Sequence, residues 1–154
     1  MPRHPRPALP LTLLLLALLL TACAGGPRAR EDGPGARIVA SALAQLGRPY
    51  RYGGSTPAGF DCSGLVQYTH DVAGIRVPRT TDAQHEAARS VQLQQLAPGD
   101  LLFFRIDSRE ISHVAIYAGD GRFVHAPDSG KVVEMRRLDE PYYRARVVGA
   151  GRFY

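Results

Sequence analysis

The stretch Tyr50-Arg51-Tyr52-Gly53-Gly54-Ser55-Thr56-Pro57-Ala58-Gly59-Phe60-Asp61-Cys62-Ser63-Gly64-Leu65-Val66 joins a turn-rich loop to the start of a helix. Residues 47–60 are loop by composition, with Gly and Pro at short intervals. Asp61 then stands where a helix needs an N-cap, so the helix begins at Cys62. Leu65, Val66, Thr69, Val72 and Ala73 fall at helical spacing and form its buried face, and Gly74 ends it. A cysteine in the first turn sits where the helix macrodipole favours an anion, which lowers its pKa and supplies thiolate.

Working outward, Ile38, Val39, Ala42, Leu43 and Leu46 give residues 36–46 helical spacing with Gly47 as a stop, and Ala83–Ala88 forms a short third helix. Beyond the Pro98-Gly99-Asp100 turn the period changes to two. Strands are expected at Leu101–Phe104, Ser112–Tyr117, Arg122–Ala126, Lys131–Met135 and Val147–Phe153. Helices followed by an antiparallel run of strands is the order of an α+β fold.

The chain has 154 residues, 45% hydrophobic and 21% charged, which suits one globular domain and excludes a wholly disordered chain. Two cysteines exclude a disulfide-stapled mini-protein. The net charge of +5 is carried by scattered arginines rather than a patch, which argues against nucleic acid as a partner.

Arg3 and Arg6 precede an apolar run, Leu9–Leu20, too short to span a membrane but suited to a signal-peptide core. Leu20-Thr21-Ala22-Cys23 resembles the lipobox of bacterial lipoproteins, which implies cleavage after residue 22 and acylation of Cys23. Ala24 in place of Asp implies, by the same analogy, the periplasmic face of the outer membrane. Without residues 1–22 the chain keeps 17 basic and 14 acidic residues, a net +3. Residues 23–35 are small, charged or turn-forming and read as a flexible tether, leaving 36–154 as the body.

With Cys23 acylated, Cys62 is the remaining thiol, so it is either buried or used. A cysteine nucleophile needs a base. His70 and His85 lie on helices among polar neighbours and read as surface residues. His113 and His125 flank a hairpin. A two-residue Asp120-Gly121 loop pairing Gly119 with Arg122 puts them on opposite faces. A three-residue loop Gly119-Asp120-Gly121, with Gly121 at positive φ, pairs Ala118 with Arg122 and puts both on one face. The latter is the expected arrangement.

The quoted stretch resembles the signature of the NlpC/P60 family of papain-like cysteine peptidases. Pro78-Arg79-Thr80, Pro98–Phe104, Ser112–Gly119 and Phe123–Ala126 resemble the family's later blocks in the same order. The resemblance implies a papain-like α+β domain with N-terminal helices packed on an antiparallel sheet. It places the nucleophile on Cys62, the base on His113 and the orienting third residue on His125, and assigns substrate contacts to Tyr50, Asp61 and Ser63. It implies hydrolysis of amide bonds in peptidoglycan stem peptides or cross-links, as a murein DD-endopeptidase or a γ-D-glutamyl-diaminopimelate endopeptidase. Neither metal nor organic cofactor is called for, and a monomer anchored by its lipid is expected.

Three other uses of these residues stand beside that one: a wall-tethering lipoprotein that binds stem peptides without cutting them, acyl transfer on the same scaffold, and zinc ligation by Cys62, His113 and His125. Asp100 and the Phe103-Phe104 pair read as architecture, Arg79 as a surface residue, and Tyr142, Tyr143 and Tyr154 as core or rim. Asp61 has two possible duties, capping the helix or pairing with a substrate ammonium.

Overall fold

The computed structural model describes residues 33–106 and 108–154. The expected signal segment, the acylation site Cys23 and the tether up to residue 32 lie outside the described residues. Helix α1 spans Pro34–Leu43, so it starts two residues earlier than expected, with Pro34 at its first position as helix starts favour. Two-residue strands β1 (Ser55–Thr56) and β2 (Gly59–Phe60) pair within the segment read as loop. Helix α2 is Cys62–Val72, capped by Asp61 as expected. Helix α3 is Thr81–Ala87, two residues ahead of expectation, because the Thr80 hydroxyl accepts from the Ala83 N–H and caps it.

Six strands follow in one antiparallel sheet: β3 (Arg89–Val91), β4 (Leu101–Phe104), β5 (His113–Gly119), β6 (Arg122–His125), β7 (Glu134–Arg137) and β8 (Val147–Arg152). Their spatial order is β3-β8-β4-β5-β6-β7. A short helix α4, Pro141–Arg144, precedes β8. The architecture is therefore the α+β arrangement that the sequence indicates. Strand β7 starts three residues later than expected, because Lys131 closes a turn onto Asp128 and Val132 only bridges Pro49. Sequence periodicity gave no sign of β3, β1, β2 or α4, all of four residues or fewer.

Strand alternation divides the core in two. Leu101, Phe103, Val114, Ile116 and Val124 face α1 and α2, meeting Ile38, Ala42, Leu65 and Val66. Leu102, Phe104, Ala115 and Phe123 face the other way, against Tyr143 and Ala150. Val72, expected on the buried face of α2, is instead largely exposed, while Thr69 and Ala73 are buried. Asp100 is architectural: fully buried, it holds Arg152 Nη2 at 2.7 Å and accepts from the Ala97 N–H.

The β5–β6 hairpin departs from its expected loop. Gly119 pairs with Arg122, leaving a two-residue Asp120-Gly121 turn with φ of 51° and 69°, the positive values a type I′ turn requires. The register then shifts between Tyr117 and Gly119, so Tyr117 pairs with Phe123 and Ile116 with Val124. The bulge at Ala118 recovers the pairing that keeps both histidines on one face.

Candidate active site

Asp61 and the glycines around it build the start of α2. The Asp61 carboxylate accepts from the Gly64 N–H at 2.7 Å, the Gly53 N–H at 3.0 Å and the Ser63 hydroxyl at 3.2 Å. Arg79 closes on it with two nitrogens, Nη2 to Oδ2 at 2.6 Å and Nη1 to Oδ1 at 2.9 Å, and Nη1 also reaches the Ser63 hydroxyl at 2.9 Å. Arg79 is thus a structural partner rather than an idle surface residue. Its guanidinium and the cap bonds hold the Asp61 carboxyl below the usual carboxylate range despite burial, which pushes the other way. Gln84, fully buried, donates to the carbonyls of Ser63 at 3.0 Å and Pro78 at 2.8 Å, pinning this segment to α3.

Cys62 follows as the first residue of α2, half-buried and free. Its N–H has no acceptor within the helix, as for any first-turn residue. Its sulfur lies 3.7 Å from the Thr81 hydroxyl. The expected low thiol pKa is not what the surroundings produce. Burial pushes the thiol up and the neighbouring Asp61 charge adds to this, outweighing hydrogen bonds from Thr81 and the N–H groups of Val114 and Ser63.

The two histidines come from the opposite face of the sheet. His113 opens β5 beside Phe104, and His125 closes β6 beside Phe123. His113 Nε2 and His125 Nδ1 are 2.9 Å apart, with the rings nearly perpendicular. Both are buried, and desolvation holds His113 neutral down to about 4 and His125 down to about 2. On its far side, His125 Nε2 lies 3.5 Å from the Tyr143 hydroxyl and 3.4 Å from Glu134 Oε1. His85 is exposed as expected, but His70 is not. It is fully buried on α2, its Nδ1 2.8 Å from the Val66 carbonyl oxygen, and it takes no part in this site.

Cys62, His113, His125 and Tyr50 border one cleft of about 370 Å³, together with Asp128, Lys131 and Tyr143. A second recess of about 470 Å³ continues past Cys62 and is lined by Tyr50, Asp61, Ser63, Arg79 and Thr81. The thiol thus stands at the junction of two hollows, one holding the imidazole pair and the other the Asp61–Arg79 cluster. Among the described residues no group of three or more His, Cys, Asp or Glu side chains is arranged to hold a metal ion. Arg79 carried a signal in the Pro78-Arg79-Thr80 block, whereas the contacts of Gln84, Glu134 and Tyr143 depend on chain segments that only the fold brings together.

Known proteins share this arrangement of chain. The model of the NlpC/P60 family matches residues 47–152. Murein DD-endopeptidase MepH of Escherichia coli is 42% identical over 115 residues, covering 71% of this chain and 42% of that protein. Bifunctional muramidase/DL-endopeptidase CwlT of Bacillus subtilis is 42% identical over 118 residues, covering 75% of this chain and 35% of its own length. The chain therefore spans less than half the length of these curated relatives. A crystal structure of an NlpC/P60 family protein from Bacillus cereus superposes with a TM-score of 0.73 at 34% identity, covering 77% of this chain and 40% of that one. With the match running from the loop before Cys62 to the last strand, the chain belongs to the NlpC/P60 family.

Proposed function

We propose that this protein is a cysteine peptidase that hydrolyses amide bonds in peptidoglycan stem peptides or their cross-links. The observation that carries the reading is the opening of Cys62 and the hydrogen-bonded His113–His125 pair onto one cleft. The relatives named as DD- and DL-endopeptidases differ in the bond their names specify and share the class of reaction.

The chemistry follows from the resting states of the groups. The thiol is protonated and His113 is neutral, so attack and proton transfer go together: Cys62 Sγ bonds to the scissile carbonyl carbon as His113 takes its proton. The free N–H of Cys62, with the Tyr50 hydroxyl, stabilises the oxyanion. His113 passes the proton to the leaving amine, a thioacyl-enzyme remains, and water cleaves it. His125 orients the His113 ring, as the third member of a triad does. No metal or organic cofactor takes part.

Tyr50, Asp61 and Ser63 form the substrate wall beyond Cys62. Tyr50 contacts the stem peptide, and Asp61 and Ser63, whose side chains are occupied by Arg79 and by each other, hold that wall in shape. The apolar run Leu9–Leu20 and the Leu20–Cys23 motif support export and acylation at Cys23, which keeps a monomeric enzyme at the periplasmic face of the outer membrane.

The test is digestion of purified peptidoglycan with the full chain, with new termini identified by mass spectrometry. Wild type should release them. Cys62→Ala should lower the rate by roughly three orders of magnitude or more with the fold retained. Turnover by Cys62→Ala within tenfold of wild type would remove Cys62 as the nucleophile.

A further inference from the structure

We propose that Glu134 is a positioning residue that fixes which nitrogens of the His113–His125 pair carry protons. The inference rests on the reading above that His113 is the base for Cys62, and it concerns a residue to which that reading gives no role.

The bond between His113 Nε2 and His125 Nδ1 holds one proton, and that proton can sit on either ring. With the proton on His113 Nε2, His113 Nδ1 is a bare lone pair able to accept from a thiol. His125 then accepts at Nδ1 and carries its own proton at Nε2. With the proton on His125 Nδ1, both assignments reverse: neutral His113 carries its proton at Nδ1 and cannot serve as a base there. The two arrangements have the same charge and the same heavy-atom positions, so the choice falls to what faces the two outer nitrogens: Cys62 and Asp128 in the cleft at the His113 end, and the groups facing His125 Nε2 at the far end.

Two oxygens stand there. The Tyr143 hydroxyl at 3.5 Å can donate or accept, so by itself it selects neither arrangement. Glu134 Oε1 at 3.4 Å belongs to a carboxylate, which in its charged form only accepts. Acting through its charge, it favours a proton on His125 Nε2 and, through the pair, a bare Nδ1 on His113. The sheet places this carboxylate: Glu134 is the direct antiparallel partner of His125 in the β6–β7 register. Arg136, on the same face of β7, holds Nη1 at 3.6 Å from the same oxygen and is itself tied to Glu140. In the reaction the thiol proton moves to His113 Nδ1 and on to the leaving amine. The other two protons stay where they are, and Glu134 neither gains nor loses one.

The test reads tautomers directly, by ¹⁵N–¹H correlation through the imidazole rings of the full chain near neutral pH. Wild type should show both His113 and His125 protonated at Nε2. Glu134→Gln supplies an amide that can donate as well as accept, and should shift both rings toward the Nδ1-protonated form. It should also lower kcat about tenfold, a part of the roughly 10²–10⁴-fold that acid–base catalysis supplies, with KM within twofold. Glu134→Asp keeps an acceptor and should retain the wild-type tautomers, and Tyr143→Phe should retain them too. Unchanged tautomers in a folded Glu134→Gln overturn the proposal, and so does a switch caused by Tyr143→Phe but not by Glu134→Gln. Should wild type itself fail to cleave peptidoglycan while the tautomers respond as expected, the catalytic reading fails and the role of Glu134 in the pair stands.

Discussion

The Cys62 thiol and the His113 imidazole are both held in their uncharged forms by burial, and this sets the pH behaviour of the site. Desolvation penalises imidazolium, so His113 stays neutral, and able to accept a proton, down to about pH 4. The sign is that of a depressed pKa: the competent form is present above about 4 and is lost as pH falls through it. The acid limb of kcat/KM should therefore lie near pH 4, as an apparent value of the coupled His113–His125 pair, and an acid limb at pH 6.5 or above would contradict a neutral buried base. At this scale, sequence motifs pointed to Cys62, His113 and His125 because the proposed nucleophile, base and orienter must be particular residue types. The thiol pKa was not legible, because helix position is a sequence property and burial is not. His70 misleads for the same reason. Polar neighbours on α2 suggest a surface ring, yet its face turns inward, where Phe153 lies 6.0 Å away.

Helix α2 owes its position to a close crossing of two backbone segments. A Cβ on Gly64 would lie 1.9 Å from the Gly54 carbonyl oxygen, and that carbonyl accepts the Asp61 N–H at 3.0 Å. Gly64→Ala must therefore displace either the helix start or the loop beneath it. It should cost about 2–3 kcal/mol, lowering Tm by roughly 6–15 °C, measurable by thermal unfolding. A Tm within 2 °C of wild type would show that the crossing tolerates a methyl group. The cap and helix were legible because Asp61 precedes an apolar-periodic run, and the strongly apolar strands β4 and β5 were legible from period and turn signals. The hairpin shows the limit. Alternation demands an even register for the two histidines to share a face, and the Gly119–Gly121 run permits both a three-residue loop and a two-residue turn with a bulge. Both satisfy the demand, and the chain takes the second.

For the whole molecule, the sheet is a partition pierced at one end. Helices bring Cys62 to one face, the two histidines stand on the other, and the reactive groups meet in the cleft where β5 begins and β6 ends. The order of helices and strands made the α+β class legible, whereas the meeting of the two faces depends on the strand order, which no local pattern encodes. The proposed anchor acts at this same scale and would confine the domain to the proposed polymeric substrate. Cys23→Ser should release active protein from the membrane fraction, and retention of the variant after salt and carbonate washes would contradict acylation at Cys23. In the proposed reaction Cys62 forms a covalent bond with its substrate through the acyl carbon. The most direct measurement is mass spectrometry of the full chain, acid-quenched during turnover on soluble stem peptides and then digested. The peptide containing Cys62 should carry the mass of the acyl portion of the substrate, and no such adduct should form in Cys62→Ala. Cleaved substrate with no adduct at Cys62 under conditions that trap thioesters, together with an active Cys62→Ala, would contradict it.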